Sequence, residues 1–248
     1  YLAAQQVELK EHWEYDTIQR SEVKRHLNEY IYYGGLPEIL SFKNKRAMLS
    51  SLYQKIYLGD ICARNNIKND RVLNILIKKM AESVKQPLSY NRLKNVIVAT
   101  GSPISVPTTI DYVDYASDSW LILPMENEVG KLTEKEMQKK YYFVDNGLLN
   151  LFLMNSETSL LENMVAVELC RRFGKKNVFF LNAEKEIDFI VPDEKLAIQV
   201  SYSIKDETTY NREVPPLAKY AKAHENWKCL LITYDEEGAE EGIPVVPV

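Results

Sequence analysis

Glycine is scarce in this 248-residue chain: there are nine, and none falls into the G-x-x-x-x-G-K-[ST] spacing that wraps a nucleotide phosphate. ATP hydrolysis by these residues is thereby excluded. Cysteine is scarcer still. Cys62, Cys170 and Cys229 stand far apart, in none of the paired spacings of metal sites or disulfide frameworks, and read as free thiols in a reducing cytoplasm. The three histidines, His12, His26 and His224, are equally isolated, which argues against a zinc centre and a nucleophilic triad. No apolar run reaches the roughly 20 residues of a membrane span, and YLAAQQVELKEHWEYD lacks the apolar centre of a signal peptide. A cytoplasmic protein without membrane contact is expected. A first residue other than Met, set in mid-pattern, reads as part of a longer chain.

What is present suits packed cores: 46% hydrophobic residues, 27% charged residues, and length enough for two domains. Residues 1–68 read as helical, through VELKEHWEYD, SEVKRHLNEYIYYGG with Ser21 as cap and Gly34-Gly35 as stop, and MLSSLYQKIYLGDICARN. Residues 69–137 give three helical patterns and a strand: RVLNILIKKMAESV, SYNRLKNVIV capped by Ser89, PTTIDYVDYASD opened by Pro107, and SWLILPME. That succession with short connectors predicts a winged helix-turn-helix. Residues 138–248 open with the strand-like KKYYFVD, the short helix NGLLNLFLM and the amphipathic SLLENMVAVELCRRFG, closed by Gly174. Three strands follow, NVFFLN, EIDFIV and KLAIQVSYS, then helix on both sides of Pro215-Pro216, the strand WKCLLITY and the edge piece IPVVPV. The order αβββαβ predicts a mixed sheet with helices on its faces, in an α+β protein.

Net charge is −4, but it is unevenly spread. Between Lys43 and Lys94 stand twelve basic residues (Lys43, Lys45, Arg46, Lys55, Arg64, Lys68, Arg71, Lys78, Lys79, Lys85, Arg92, Lys94) against Asp60, Asp70 and Glu82. Such an excess suits salt-dependent contact with a nucleic-acid backbone. The expected recognition helix opposes base reading, because TTIDYVDYASD offers Asp111, Asp114 and Asp118 and neither Lys nor Arg. Tyr30, Tyr32, Tyr33, Tyr53 and Tyr57 cluster beside the basic run, at spacings that suit packing at the edge of a core better than base stacking.

YYGGLPEIL, the pair KKYYFVDNGLLN and LLENMVAVEL, and EIDFIV followed by IQVS, taken in that order, resemble the region after the ATPase module in a large group of bacterial and archaeal AAA-type ATPases. The resemblance covers about residues 25 to 235. It implies that residues 1–68 end the ATPase region, that 69–137 form the winged helix, and that 138–248 form a restriction-endonuclease-like PD-(D/E)xK domain. It also implies a partner, the protein's own N-terminal ATPase module, where ATP would bind; no cofactor is expected in these residues themselves.

A nuclease of that type gathers a helix acid, a strand Asp and a Glu-x-Lys pair, so that carboxylates hold Mg²⁺ and the lysine orients the attacking water. The resemblance assigns Glu162 as the helix acid and Asp188 as the strand Asp, the two residues left to hold a metal. Gln199 and Ser201 stand where Glu and Lys would be. On a strand those positions face one side, so the frame of the site persists with neutral groups in two places. Loss of transition-state charge stabilisation at one position typically costs about 10² to 10³ in rate. The expectation is a degenerate site that keeps its shape without cutting and serves to dock nucleic acid or another protein. Two alternatives remain open: a Mg²⁺-dependent DNA nuclease with a displaced lysine, for which Lys195 and Lys205 are nearest in sequence, and an oligomerisation scaffold. Glu186 shares the face of Asp188 and reads as a solvated strand-start charge, Asn163 as a local bridge and Glu168 as a surface charge.

Overall fold

The computed structural model describes residues 9, 16–154, 156–183 and 186–248. The helix expected over VELKEHWEYD lies outside the described residues except for Leu9 and Asp16. Helix α1 (Thr17–Tyr33) begins earlier than the expected Ser21 cap, because Asp16 Oδ1 accepts from the amides of Ile18 and Gln19. It stops at Gly34, whose φ of 79° lies in the region glycine tolerates. After the single turn α2 (Pro37–Leu40), helix α3 (Lys45–Lys55) runs on as a π-helical segment, Ile56–Ala63, with Arg64 N–H reaching Gly59 O.

Helix α4 (Asp70–Glu82) leads to β1 (Leu88–Ser89), α5 (Tyr90–Ala99), α6 (Val106–Asp118), β2 (Ile122–Met125), the short α7 (Leu132–Met137) and β3 (Gln138–Phe143). Ser89 caps α5 as expected, its Oγ accepting from Arg92 N–H. Strand β3 pairs antiparallel with both β1 and β2, giving a three-stranded sheet of order β1-β3-β2. KKYYF therefore completes the sheet of the segment before it, across the boundary drawn at residue 138.

Helices α8 (Asn146–Leu149) and α9 (Glu157–Phe173) precede a six-stranded sheet of order β4-β5-β6-β7-β9-β8. Strands β4 (Phe179–Asn182), β5 (Glu186–Val191) and β6 (Leu196–Val200) are antiparallel; α10 (Glu207–Ala223) then crosses over to β7 (Lys228–Thr233), parallel to β6. The expected mixed sheet is present. Two details differ: α10 passes through Pro215 and Pro216 without interruption, and IPVVPV is not the edge. It forms β9 (Ile243–Pro247), flanked by β7 and by β8 (Gly238–Glu240), which takes the edge position.

One apolar core runs from α1 to β6 through both sheets, and a second lies between α10 and the six-stranded sheet. The loop after β2 ties the sheets together: Phe180 N–H donates to Glu126 O, Glu128 N–H donates to Phe180 O, and Asn127 brackets Asn182 through both its amide atoms. This covers the open edge of β4.

A second joint explains two of the glycine-containing stretches. The buried carboxylate of Asp145 accepts from Gly35 N–H at 2.8 Å, Gly147 N–H at 2.8 Å and Leu148 N–H. Burial raises its pKa, and those three amides oppose the rise. Asn146 Nδ2 donates to Ile31 O and Leu160 O, while Asn163 clamps the Phe143 backbone and Asn146. A Cβ on Gly147 would lie 2.3 Å from Tyr33 O, so only glycine lets α8 approach α1 this closely.

Candidate functional site

Strands β5 and β6 pair as far as Phe189 and Ile198 and then diverge. In the opening, side chains replace the ladder: Asp188 N–H donates to Gln199 Oε1 at 3.3 Å, and Val200 N–H donates to Asp188 Oδ2 at 3.0 Å. Gln199 Nε2 donates onward to Glu213 of α10, whose other oxygen accepts from Arg212. Glu162 is brought to the same place by α9. Glu162, Asp188, Gln199 and Ser201 therefore line one cavity of about 410 Å³, as sequence reasoning had placed them, together with Lys85, Glu186 and Arg212.

The cation of this site comes from neither expected lysine. Lys195 is exposed in the turn between β5 and β6, and Lys205 lies 4.0 Å from Glu236. The group present is Lys140 of β3, its side chain 0% exposed. Its Nζ lies 2.9 Å from Glu186 Oε1, 3.2 Å from Asp188 Oδ1 and 3.4 Å from Glu162 Oε1, with the Phe180 ring 5.7 Å away on another side. Glu186 remains a solvated charge at the start of its strand, its side chain 41% exposed, and also joins the cluster through Lys140. Tyr142, two positions along on the same strand face, donates its hydroxyl to Glu162 Oε1 at 2.8 Å.

Burial alone would drive a proton off Lys140. Tyr142 and the carboxylates of Glu162, Asp188 and Glu186 outweigh it and hold the ammonium charged well above the ordinary lysine range. Glu162 is pushed up to about 8, first by burial and then by the charge of Asp188, with Lys140 and Tyr142 opposing. Glu213 is raised as well, by burial and by Asp188.

These shifts set the sign of a pH dependence. Between the unfolded value of Glu162 and about 8, the folded chain retains a proton that the unfolded chain has released, so stability falls as pH rises through that window. Asp145 and Glu213 act in the same direction. Melting temperatures from pH about 5 to about 8 should decline, and the Glu162→Gln variant, which mimics the protonated acid and still accepts from Tyr142, should show a shallower decline. A variant whose slope matches the parent chain would exclude Glu162 as the proton's location.

Mg²⁺ requires several hard oxygen donors free to face one point. Asp188 spends one oxygen on Lys140 and the other on Val200 N–H; the Glu162 oxygen facing the cluster serves both Lys140 and Tyr142; Gln199 uses its carbonyl on Asp188 N–H. Glu162, Asp188 and Glu186 converge on Lys140 Nζ, but among the described residues no three carboxylate, histidine or cysteine side chains are placed to hold a metal ion themselves. Both oxygens of Asp188 and the Glu162 oxygen that faces the cluster are engaged by an ammonium, a phenol and an amide, so with Lys140 in place the residues present do not fit the metal.

Of the basic run, Lys45 pairs with Glu29 at 2.8 Å, Arg46 donates to Asn150 O and Leu151 O, Lys79 pairs with Glu82, and Lys85 donates to Thr158. Lys94 is half-buried. Lys43, Arg64, Lys68, Arg71, Lys78 and Arg92 are exposed, with no ion pair among the described residues. Arg71 and Lys78, seven apart on α4, share a helix face. Asp111, Asp114 and Asp118 are exposed on α6, and Glu168 pairs with Arg171 and Arg172.

A family model described as Domain of unknown function (DUF8612) matches residues 24–159, more than half of the chain. The chain belongs to this family. The chain is also 31% identical over 238 residues to the uncharacterized protein MJ1544 of Methanocaldococcus jannaschii, covering 92% of this chain and 53% of that one. An uncharacterized protein of Haemophilus influenzae is 30% identical over 231 residues, at 89% and 56%. The chain thus spans about half the length of the curated relatives it matches. No solved structure gives a significant match. Among the described residues no helix is long and apolar enough to cross a membrane.

Proposed function

We propose that this chain is the non-ATPase part of an AAA-type ATPase, in which a winged-helix unit is joined to a nuclease-like αβββαβ domain that docks nucleic acid or protein and does not cut. The order α4-β1-α5-α6-β2-β3 with a β1-β3-β2 sheet supports the first unit, and α9-β4-β5-β6-α10-β7 supports the second. The observation that carries the reading is Lys140. Its ammonium lies among the carboxylates that would otherwise gather a divalent cation, and it neutralises them from within the fold. Half the length of the relatives lies outside this chain, which leaves room for the ATPase module that the resemblance implies.

One observation favours the alternative of a working nuclease: Lys140 supplies, from another strand, the positive charge that Ser201 lacks. The two readings separate on incubation of the chain with Mg²⁺ or Mn²⁺ and labelled duplex, single-stranded and branched DNA. The docking reading expects no cleavage with any substrate. Product that appears with metal and disappears in Asp188→Ala would replace it with the nuclease.

A further inference from the structure

Helix α6 ends in a hydrogen-bond pattern that specifies one residue type, and a different type is present. Trp120 N–H donates to Ser117 O and Leu121 N–H to Ala116 O, the two bonds of a Schellman motif, with Leu121 and Ala116 both fully buried. The residue between helix and strand in that motif takes a left-handed conformation and is usually glycine or asparagine. Here it is Trp120, at φ 54° and 67% exposed. A bulky residue in this region is strained. The ring does not compensate by burial.

The surroundings of the ring are specific. Lys175, just beyond the end of α9, places its Nζ 5.5 Å from the indole centroid, with exposed Lys176 next in the chain. Immediately before Trp120, Ser119 lines a polar cavity of about 390 Å³ shared with Tyr115, Asp118, Arg64 and Asn65. Ser119 Oγ donates to Asp60 O, which fixes the end of α6 against the π-helical segment that Arg64 closes. Arg64 makes no ion pair among the described residues. Together these groups present an open aromatic face with Lys175 against it, and next to it along the chain a polar cavity that holds Arg64 and the acceptors of Asp118 and Asn65.

We infer that Trp120 and the cavity beside it bind a nucleotide unit, with a base stacked on the indole face that Lys175 leaves free and phosphate met by Arg64 and Lys175. A base paired within a duplex cannot offer its face, so the ligand is an unpaired nucleotide, either within a single strand or free. This locus lies outside the acid cavity around Lys140, and it can fail while the reading of that cavity stands.

Indole fluorescence provides the test. An oligothymidylate, the matching duplex and a mononucleotide are titrated at low ionic strength into the parent chain and into Trp120→Ala, Trp120→Phe and Trp120→Gly. Quenching by the oligothymidylate or by the mononucleotide is expected, the two arms telling a single strand from a free nucleotide; the duplex should do neither. Followed by anisotropy of labelled ligand, Trp120→Ala should weaken binding about ten- to a hundredfold, while Trp120→Phe keeps most of it. Trp120→Gly should lose binding and melt no lower than the parent chain, since glycine suits the left-handed position. Binding unchanged in Trp120→Ala, or no binding of either ligand, overturns the inference. So does a Trp120→Gly chain that melts well below the parent, which would make the ring a structural element.

Discussion

Lys140→Met is expected to lower the free energy of unfolding by about 3–5 kcal/mol, the range for removing one partner of a buried ion pair. The substituted side chain has similar reach, so the loss comes from charge rather than from a cavity. Glu162 and Asp188 are 3% and 6% exposed and would be left facing each other without the ammonium that pairs with both. Two further measurements identify the cause. The deficit should shrink on acidification, as the uncompensated carboxylates take up protons. It should also shrink when Glu162→Gln and Asp188→Asn are added to Lys140→Met, because replacing a whole buried ionic set is far less damaging than breaking it. Equal deficits at pH about 5 and about 8 would show that packing, not charge, is what Lys140 contributes.

Gly34→Ala is expected to cost a similar amount, about 3–5 kcal/mol, through two separable effects. The positive-φ backbone, at φ 79° and ψ −172° in a region that only glycine adopts readily, accounts for about 1–3 kcal/mol of it. The remainder comes from Asp145. An added Cβ would lie 2.0 Å from its Oδ1, so the carboxylate must move and release buried amides of Gly35, Gly147 and Leu148. In an Asp145→Ala background the same substitution should cost only the backbone part. Urea melts of the four chains give the coupling directly, and additive losses would mean that the joint between α1 and α8 does not depend on this contact.

Much of the architecture follows from local pattern, for identifiable reasons. Ser89 at the head of SYNRLKNVIV, Gly174 at the end of RRFG and the alternation of EIDFIV and KLAIQV each express a rule that tertiary packing had no cause to override. Departures came where a tertiary contact decided the outcome. Pro215 and Pro216 suggest a break, yet α10 continues, because the carbonyls they leave without donors belong to Asn211 and Arg212, which are exposed. The prolines of IPVVPV suggest an edge, yet the turn just before it folds the three residues of β8 along its outer side.

Lys140 is the instructive omission. It follows Lys139 at the start of a strand, where two lysines read as solvated, and it stands 22 positions before Glu162. One signal was present. The rule that puts Gln199 and Ser201 on a common face also puts Lys140 with Tyr142, and both reach Glu162. What local pattern could not supply is that β3 passes beside α9 and β5, a consequence of the two sheets sharing one core.

In the function proposed above, the Lys140 ammonium does within this fold what a divalent cation would do in a metal-dependent nuclease. Calorimetric titration of Mn²⁺ and Mg²⁺ into the chain at neutral pH addresses it most directly, with Lys140→Ala and Asp188→Asn titrated alongside. No saturable binding to the parent chain is expected, and binding to Lys140→Ala that is lost again when Asp188→Asn is added. Saturable binding of either metal to the parent chain, abolished by Asp188→Asn, would contradict it.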